Sequence, residues 1–412
     1  MKQLLVLTDA ITAPLYAPRM RYLVSNLAKT GWQCTVASEQ ADTDFVFPDC
    51  KHLRFVFYAG KHPWWDKCVW LLDKFVAIKE RAFLRFVRKQ TADKQFDYIL
   101  CSAFHTFPLP TAAHLAKERH IPLIVDLRDI AEQWGETPYM QHPIRTPFKK
   151  LNHWLTKQYT AKTIRQRNKA LAVADAITTV SPWHITCLQN LQIKGKALSN
   201  ISLIYNGFDT QTFSPKDQKT SYFDITYTGK IYDFTLRNPQ LLFQALGELR
   251  KENVLPADIR LRFYCENTIH PSLHHLAESY HIDDLLQTAA YVSKEQIPEL
   301  LHQSSIILIL TNKSTANGPH GIMTTKFFEA LGVEKPVLCV RSDEECLAQV
   351  IHDTNAGLAA TNTEDIKSFV LNKYREWQAN GYTRQPIRNK QLFTRQYQAR
   401  QFETLFSTLR HD

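Results

Sequence analysis

Two neighbouring stretches of the sequence indicate the fold class of this chain. They are Ile306-Ile307-Leu308-Ile309-Leu310 and, a few residues later, Asn317-Gly318-Pro319-His320-Gly321-Ile322-Met323-Thr324-Thr325-Lys326-Phe327-Phe328-Glu329. The aliphatic run predicts a buried strand, and the glycine-containing turn leads into a predicted helix. Lys326 and Glu329 stand at i and i+3 and therefore share one face of that helix. A buried strand that runs through a glycine turn into a helix is typical of an α/β domain with a parallel sheet.

The same alternation of short apolar runs and helical patterns extends over nearly the whole chain, in two series. Predicted strands cover residues 4–7, 34–37, 96–101, 121–126 and 176–180 in the first series, and 225–227, 259–264, 306–310 and 336–340 in the second. Turn residues and a polar stretch at 206–221 predict a linker. We therefore predict two Rossmann-like domains, 1–205 and 222–385, facing each other across a cleft, and a C-terminal helix within 386–412 that crosses back to the first domain.

Composition excludes several classes of protein. Of 412 residues, 44% are hydrophobic and 22% charged, which is ordinary for a globular protein and rules out wholesale disorder. The net charge of +10 favours anionic ligands such as nucleotides, nucleic acid or an acidic membrane surface. No aliphatic run is long enough to span a bilayer, and eight scattered cysteines without a Cys-x-x-Cys pair indicate free thiols, no metal site and a cytoplasmic protein.

Two positively charged side chains follow the first predicted strand of the second domain. Lys230 comes directly after Gly229, and Arg237 lies near the start of the next predicted helix. Gly permits close approach to the backbone, and two cations at this spacing suit the phosphates of a diphosphate. The alternative is a pair of solvated surface cations.

The segment 318–329 carries a second group of candidate residues. Backbone N–H groups at the start of its helix suit phosphate oxygens, and Lys326 adds a positive charge there. The carboxylate of Glu329, one turn deeper, suits the hydroxyls of a ribose. A surface ion pair is the alternative, but it leaves the turn with Gly318 and Gly321 unexplained.

Several short motifs, in their order and spacing, resemble those of the family 4 glycosyltransferases of the GT-B fold over nearly the whole chain. They are Tyr16-Ala17-Pro18-Arg19-Met20-Arg21, Asp126-Leu127-Arg128-Asp129, Ala174-Asp175-Ala176-Ile177-Thr178-Thr179-Val180-Ser181, Ile204-Tyr205-Asn206-Gly207-Phe208-Asp209, Thr228-Gly229-Lys230, Lys326-Phe327-Phe328-Glu329-Ala330-Leu331 and Lys335-Pro336-Val337. The Leu127-Arg128-Asp129 and Lys326-x-x-Glu329 forms resemble members that build bacterial lipopolysaccharide, capsule or exopolysaccharide.

The resemblance implies a retaining hexosyl- or N-acetylhexosaminyl-transferase that uses a nucleotide-sugar donor, with a UDP-sugar expected, and no metal. It implies that Lys230 and Arg237 stabilise the departing diphosphate, in exchanged order relative to the family's usual Arg and Lys. Glu329 matches the second Glu of the family's Glu-x7-Glu motif, which holds the ribose, whereas Gly321 stands where the first Glu is expected. Donor binding in place of that carboxylate is then expected from backbone N–H groups of His320, Gly321 and Ile322.

Candidate residues of the first domain also follow predicted strands. The family's Gly-rich N-terminal loop is absent, and Ala17-Pro18 in its place leaves Arg19 as a predicted contact of the acceptor or of the diphosphate. Arg128 is predicted to contact the acceptor. Asp129 and His105 are predicted to orient or deprotonate the acceptor hydroxyl. The alternatives are an Asp129 that only pairs with Arg128 and a His105 that is an ordinary loop histidine.

Two basic segments contain aromatic residues at helical spacing. Residues 137–174 hold no Asp or Glu but carry Lys149, Lys150 and Lys157, and residues 64–89 combine tryptophans with many Lys and Arg. Such segments suit an anionic membrane, so we expect peripheral contact with the inner face of the cell membrane and a glycan or lipid-linked acceptor. The alternative is a core-packed helix with a solvated basic face.

Other classes of function stay open: a nucleotide-sugar epimerase or hydrolase of the same fold, a non-catalytic nucleotide-sugar-binding scaffold, and a nucleic-acid-binding protein. The missing first Glu at Gly321 motivates the scaffold. Charge alone favours the nucleic-acid binder, and no recognisable motif supports it, so we expect no nucleic-acid partner.

Overall fold

The computed structural model describes residues 2–9, 18–39, 49–57, 63–103, 106–135, 148–193, 196–231, 233–311, 318–340 and 346–409. The chain divides into two compact units, the first comprising residues 1–205 and 395–412 and the second residues 206–394. Each unit is built on one all-parallel sheet with helices in the connections, which confirms the prediction of two Rossmann-like α/β domains.

The sheet of the first unit has seven strands in the order β3-β2-β1-β4-β5-β6-β9. These strands, with a short antiparallel pair β7 and β8, are β1 Lys2–Thr8, β2 Trp32–Glu39, β3 Lys51–Phe55, β4 Tyr98–Ala103, β5 Leu123–Leu127, β6 Ala176–Thr179, β7 Gln192–Ile193, β8 Lys196–Ala197 and β9 Ile201–Leu203. The central strands β4, β5 and β6 are buried along their whole length, as parallel strands covered on both faces require.

The helices of the first unit are α1 Pro18–Lys29, α2 Pro63–Val76, α3 Ile78–Gln90, α4 Leu109–Arg119, α5 Lys149–Leu171 and α6 Pro182–Gln189, with a short 3-10 helix at Ala131–Trp134. Ala77 adopts a left-handed backbone with φ +53° between α2 and α3, so the basic segment 64–89 spans two helices. Lys162 of α5 donates to the carbonyls of Lys74 and Phe75, at 2.8 and 2.6 Å, and so satisfies the last turn of α2.

The sheet of the second unit has six strands in the order β12-β11-β10-β13-β14-β15. Its strands are β10 Phe223–Thr228, β11 Ile259–Tyr264, β12 Leu286–Ala289, β13 Ile306–Leu310, β14 Val337–Val340 and β15 Gly357–Ala360. Its helices are α7 Gln240–Lys251, α8 His270–Ser279, α9 Ile297–Gln303, α10 Thr325–Val333, α11 Leu347–Asp353 and α12 Thr363–Asn380, with short 3-10 helices at Asn267–Ile269, Asp283–Leu285, Lys294–Gln296 and Lys390–Phe393. Among all described helices, none is long and apolar enough to cross a membrane.

The last helix, α13 Arg395–Thr408, packs against α1 and is part of the first unit. The ring of Phe406 lies 5.0 Å from that of Trp32 and 5.3 Å from that of Tyr98, and all three side chains are buried. Trp32 also donates from its indole nitrogen to Glu403 at 3.1 Å. The C-terminal segment therefore closes one face of the first sheet.

We predict that Phe406→Ala lowers the free energy of unfolding of the first unit by about 3–5 kcal/mol, because it leaves a cavity between α13 and the sheet. Urea unfolding followed by tryptophan fluorescence measures the change. Arg400→Ala, at an exposed position of the same helix, is the control and should change stability by less than about 0.5 kcal/mol. Equal effects of the two substitutions would contradict the role of Phe406.

Candidate functional site

The turn after β10 brings two distant predicted residues into contact. Gly229 has φ +132°, and its N–H donates to the carbonyl of Tyr264 at 2.9 Å. A Cβ atom at Gly229 would lie 2.3 Å from Cε and 2.6 Å from Nζ of Lys326. Gly is therefore required here for two reasons, since a side chain would be strained by the backbone and would displace the lysine.

Lys326 lies in the first turn of α10, with its side chain directed to the Gly229 turn. Burial lowers the pKa of Lys326 to about 8, and the positive charge of Arg237 acts in the same direction. The carboxylates of Glu329 and Glu266 partly offset both effects. A dianionic or trianionic ligand at this point would favour the charged form of Lys326.

Arg237 and Lys230 meet at the same turn. Nη1 of Arg237 donates to the carbonyl oxygen of Lys230 at 2.6 Å, and the hydroxyl of Tyr227 donates to the same oxygen at 3.0 Å. Asp233 holds the intervening turn by accepting the N–H groups of Thr235 and Leu236 at 2.9 and 3.0 Å. The side chain of Lys230 is exposed, and that of Arg237 is partly exposed.

Glu266 is a residue of this site that sequence reasoning missed. It follows β11, and its Oε2 accepts the N–H of Ile231 at 3.1 Å, which ties the Gly229 turn to the neighbouring strand. Its charge acts on Lys326. The available signal was its position just after a predicted strand, where ligands bind in parallel sheets.

The loop before α10 has the form that the glycine pattern predicts. Gly321 has φ +63°, a left-handed conformation, and Pro319 and Met323 are buried on either side of it. Thr324 occupies the N-cap position in an extended conformation, without a capping hydrogen bond from its side chain. Gly318, His320 and Ile322 are partly exposed, so their donor-binding roles stay predictions.

Glu329 lies one turn beyond Lys326 on α10. Its side chain is partly exposed, whereas the intervening Phe327 and Phe328 are fully buried and fix the orientation of the helix. Lys326 and Glu329 therefore share the unburied side of α10, as the i, i+3 spacing predicts. Binding of ribose by Glu329 stays a prediction.

In the first unit, Arg128 and Asp129 follow β5 and have different partners. Nη2 of Arg128 lies 2.5 Å from Oδ1 of Asp9, which directly follows β1, the strand that pairs with β4. The carboxylate of Asp129 accepts a hydrogen bond from Gln133. Burial raises the pKa of Asp129 to about 7, while the hydrogen bond and the charge of Arg128 act in the opposite direction. Such a pKa suits a general base.

Arg19 is buried and held by structural contacts. Its guanidinium donates to the carboxylate of Asp126 at 3.0 and 3.2 Å and to the carbonyl of Tyr205 at 2.8 Å. These contacts favour a structural role over the predicted acceptor contact. His105, the other predicted first-domain residue, lies outside the described residues.

Within the described part of the chain, no group of three or more His, Cys, Asp or Glu side chains is arranged to hold a metal ion. Arg237 and Lys326 place positive charge at the Gly229 turn. The absence of a metal requirement stays a prediction.

Comparison with known proteins agrees with this architecture. A family model described as Glycosyltransferase Family 4 matches residues 18–212. No curated protein sequence matches the chain.

Three solved structures illustrate the likeness in fold. Sucrose-phosphate synthase from Thermosynechococcus elongatus is 13% identical with a TM-score of 0.65, over 99% of both chains. HepE from Anabaena, solved in complex with UDP, is 15% identical with a TM-score of 0.60, over 99% of this chain and 100% of its own. The lipopolysaccharide outer core galactosyltransferase WaaB is 11% identical with a TM-score of 0.60, over 98% and 99%.

At these identities the solved structures establish the fold, which is GT-B, while the family model concerns the sequence of the first unit. The two kinds of comparison are independent and agree with the two parallel sheets described above. Residues 18–212 are therefore similar to the Glycosyltransferase Family 4 model, and the chain as a whole has the GT-B fold.

Proposed function

We propose that the protein is a retaining glycosyltransferase that moves a sugar from a nucleoside diphosphate donor to a glycan or lipid-linked acceptor in the synthesis of a bacterial surface polysaccharide. The observation that carries the proposal is the close approach of Lys326 to Gly229, beside Arg237 and Lys230. The positively charged side chains of Arg237 and Lys326 come from two separate elements and lie at one glycine turn, which is directly followed by the exposed Lys230.

The difficult step of sugar transfer is departure of the nucleoside diphosphate. The bond between the anomeric carbon and the β-phosphate oxygen breaks, and negative charge grows on that phosphate. Preorganised cations stabilise this charge more in the transition state than in the ground state. The acceptor hydroxyl then forms the new bond on the same face of the sugar, and its proton passes to a base such as Asp129.

A UDP-sugar is the donor we propose, because one structure of the same fold, HepE, is described in complex with UDP. Glu329 would bind the ribose, and the three cations would bind the diphosphate without a metal. The sugar is a hexose or an N-acetylhexosamine. It would contact the backbone around Gly321, where the family's first carboxylate is replaced.

The role in surface polysaccharide synthesis is supported by the motif forms Leu127-Arg128-Asp129 and Lys326-x-x-Glu329. The description of WaaB as a lipopolysaccharide outer core galactosyltransferase points in the same direction. Incubation with UDP-sugars and extracted lipid-linked acceptors tests it. Acceptor-independent release of sugar would favour a hydrolase or epimerase, and UDP binding without turnover would favour a scaffold.

We predict that Arg237→Ala lowers kcat by about 10²–10³-fold, a typical loss for one donor to developing charge, with a smaller effect on donor affinity. Arg237→Lys should recover part of the rate, because charge returns without the planar guanidinium. Lys230→Ala should also lower kcat. Lys251, an exposed lysine at the end of α7, provides the control. A loss of kcat in Lys251→Ala as large as that in Arg237→Ala would argue against the assignment of Arg237 to the departing diphosphate.

We predict that UDP binds about tenfold more weakly for each pH unit above about 8, because only protonated Lys326 attracts the diphosphate. Below pH 7 the affinity should level off. Calorimetric titrations with UDP at several pH values measure this, and binding near pH 8 should take up a proton. Lys326→Met should remove the dependence.

Lys335 provides the matched control for that experiment. It is buried in the same unit, burial lowers its pKa likewise to about 8, and its Nζ donates to the carbonyl of Thr383 at 3.2 Å. Lys335→Met should leave the pH dependence of UDP affinity in place. If Lys326→Met keeps the wild-type dependence, Lys326 does not contact the diphosphate.

We also propose that the first unit contacts an anionic membrane through a surface that we call the aromatic face, formed by Trp65 and Leu72 of α2 and Phe148, Leu151 and Trp154 at the start of α5. Trp65, Phe148 and Trp154 are 62%, 68% and 56% exposed. Large apolar side chains exposed in such a group favour an interaction surface. Exposed Lys150 and Lys157 on α5 add the positive charge that an anionic lipid surface attracts.

The two helices of the aromatic face are joined by basic side chains. Nζ of Lys74 lies 4.1 Å from the rings of both Trp70 and Tyr159, and Lys162 donates to the last turn of α2. Lys74 and Lys162 therefore hold the two helices together, whereas Lys150 and Lys157 stay exposed. The exposed set alone should affect lipid binding.

We predict that the double substitution Lys150→Glu and Lys157→Glu weakens sedimentation with phosphatidylglycerol-containing vesicles by about tenfold or more, at roughly 1 kcal/mol per lysine. Lys251→Glu with Lys294→Glu changes the net charge equally at exposed sites of the second unit and should have a much smaller effect. Equal losses in both pairs, or none in the first, would contradict the proposal.

A further inference from the structure

A row of buried polar side chains leads from β6 to Asp129 in the first unit. Oγ1 of Thr179 lies 2.7 Å from Nδ1 of His184, which is on α6. Nε2 of His184 contacts Oε1 of Gln133, on the 3-10 helix Ala131–Trp134, and Gln133 bonds to the carboxylate of Asp129. The side chains of Thr179, His184 and Gln133 are buried, whereas Asp129 is partly exposed at the end of the row.

When Asp129 is ionised, the hydrogen bonds of the row can all be donated in one direction, from Thr179 toward the carboxylate. The hydroxyl of Thr179 donates to Nδ1 of His184, Nε2–H donates to Oε1 of Gln133, and the Gln133 amide donates to the carboxylate. Every donor then points toward the negative charge. Hydrogen bonds in such a chain polarise one another and strengthen the last one, which is to the carboxylate.

The same atoms are satisfied in the opposite direction when Asp129 is protonated. The carboxylic acid donates to Oε1 of Gln133, whose amide has turned, and the Gln133 N–H donates to Nε2 of His184. Nδ1–H then donates to Thr179, and the Thr179 hydroxyl donates to the carbonyl of Leu127, which lies 3.2 Å away. Neutral His and Gln each offer a donor and an acceptor here, so in both directions every contact between the side chains of the row joins one donor to one acceptor.

We propose that Thr179, His184 and Gln133 form a reversible hydrogen-bond chain that positions the carboxyl group of Asp129 and supports it in both protonation states. The inference rests on the proposed function, in which the proton of the acceptor hydroxyl passes to Asp129 as the acceptor oxygen bonds to the anomeric carbon. The proton later leaves to solvent. Gln133 and His184 are positioning residues, since they act through Asp129.

The charged side chains around the hydrogen-bond chain are paired with residues outside that chain. Glu132 is held by Arg167 in a bidentate pair at 2.5 and 2.6 Å, and Arg128 is paired with Asp9. Burial lowers the pKa of His184 to about 4, against the opposing charge of Glu132, so the imidazole stays neutral at physiological pH. The group of the chain that titrates near neutrality is Asp129, whose pKa burial raises to about 7.

The test compares substitutions that break the chain with substitutions that preserve it. Gln133→Leu removes the donor to the carboxylate and should raise the pKa of Asp129 by about 1 unit or more, because a charge-assisted bond is lost. His184→Leu should raise it by less, because Gln133 then loses the partner that orients its amide. His184→Gln, which again offers one donor and one acceptor, should restore much of the wild-type value.

Two readouts separate this inference from the proposed function. Titration of the aspartate carboxyl carbons by 13C NMR, with Asp129→Asn to assign the resonance, follows the pKa of Asp129 without any assay of activity. The pH dependence of kcat/KM for sugar transfer should shift in parallel. An NMR shift in a protein that transfers no sugar supports the chain and counts against the proposed function, whereas transfer with unshifted NMR and rate profiles overturns the chain.

Thr91→Val is the matched control. Thr91 is as fully buried as Thr179 and lies in the same unit, but its hydroxyl donates to the carbonyl of Val87 at 2.7 Å and takes no part in the hydrogen-bond chain. The substitution should lower stability without moving the titration of Asp129. If Gln133→Leu fails to fold, the pair His184→Leu and His184→Gln carries the test, and equal pKa values of Asp129 in those two variants overturn the inference.

Discussion

The first unit depends on one buried carboxylate, that of Asp126 in the middle of its sheet. Asp126, on β5, accepts hydrogen bonds from Ser102 of β4 at 2.9 Å and from Thr178 of β6 at 2.7 Å, and it pairs with Arg19 of α1. A carboxylate buried without partners would cost several kcal/mol, so these contacts must form together. Arg19 also donates to the carbonyl of Tyr205, so one ion pair joins the centre of the sheet to the end of the first segment of the unit.

The anchor at Asp126 determines where the next residues of the chain leave the sheet. Only Leu127 separates Asp126 from Arg128, and Asp129 follows directly, so both candidate side chains start from a fixed point. Parallel sheets bind ligands at this edge because every strand ends there. The same ion pair gives Arg19, which follows the first strand in sequence, a structural contact inside the unit, because its charge pairs with that of Asp126.

Local sequence pattern predicted nine strands, which are the inner strands of the two sheets, but not the edge strands β3, β9, β12 and β15. The position of Gly229, Lys326 and Asp129 after predicted strands then indicated these residues as candidates. The contact between Gly229 and Lys326 could not be predicted from the sequence, because 97 residues separate them and only the packing of β10 beside β13 brings them together. Gln133 and His184 were missed for the same reason. Each is an ordinary polar residue in a helical stretch, and its role arises from a partner 51 residues away.

Two carboxylates of the candidate site in the second unit, those of Glu266 and Glu329, affect the pKa of Lys326. The positive charge of Arg237 acts on Lys326 and, together with burial, lowers the pKa of that lysine. Glu266 and Glu329 oppose that shift and so keep the lysine largely protonated near neutral pH before any ligand binds. Under the proposed function, a diphosphate that binds at this turn would therefore meet charges already in place, and its binding energy would not be spent on protonating Lys326. Glu266 and Glu329 would in this way preorganise the proposed site for an anion, because they favour the charged form of Lys326 before a ligand binds.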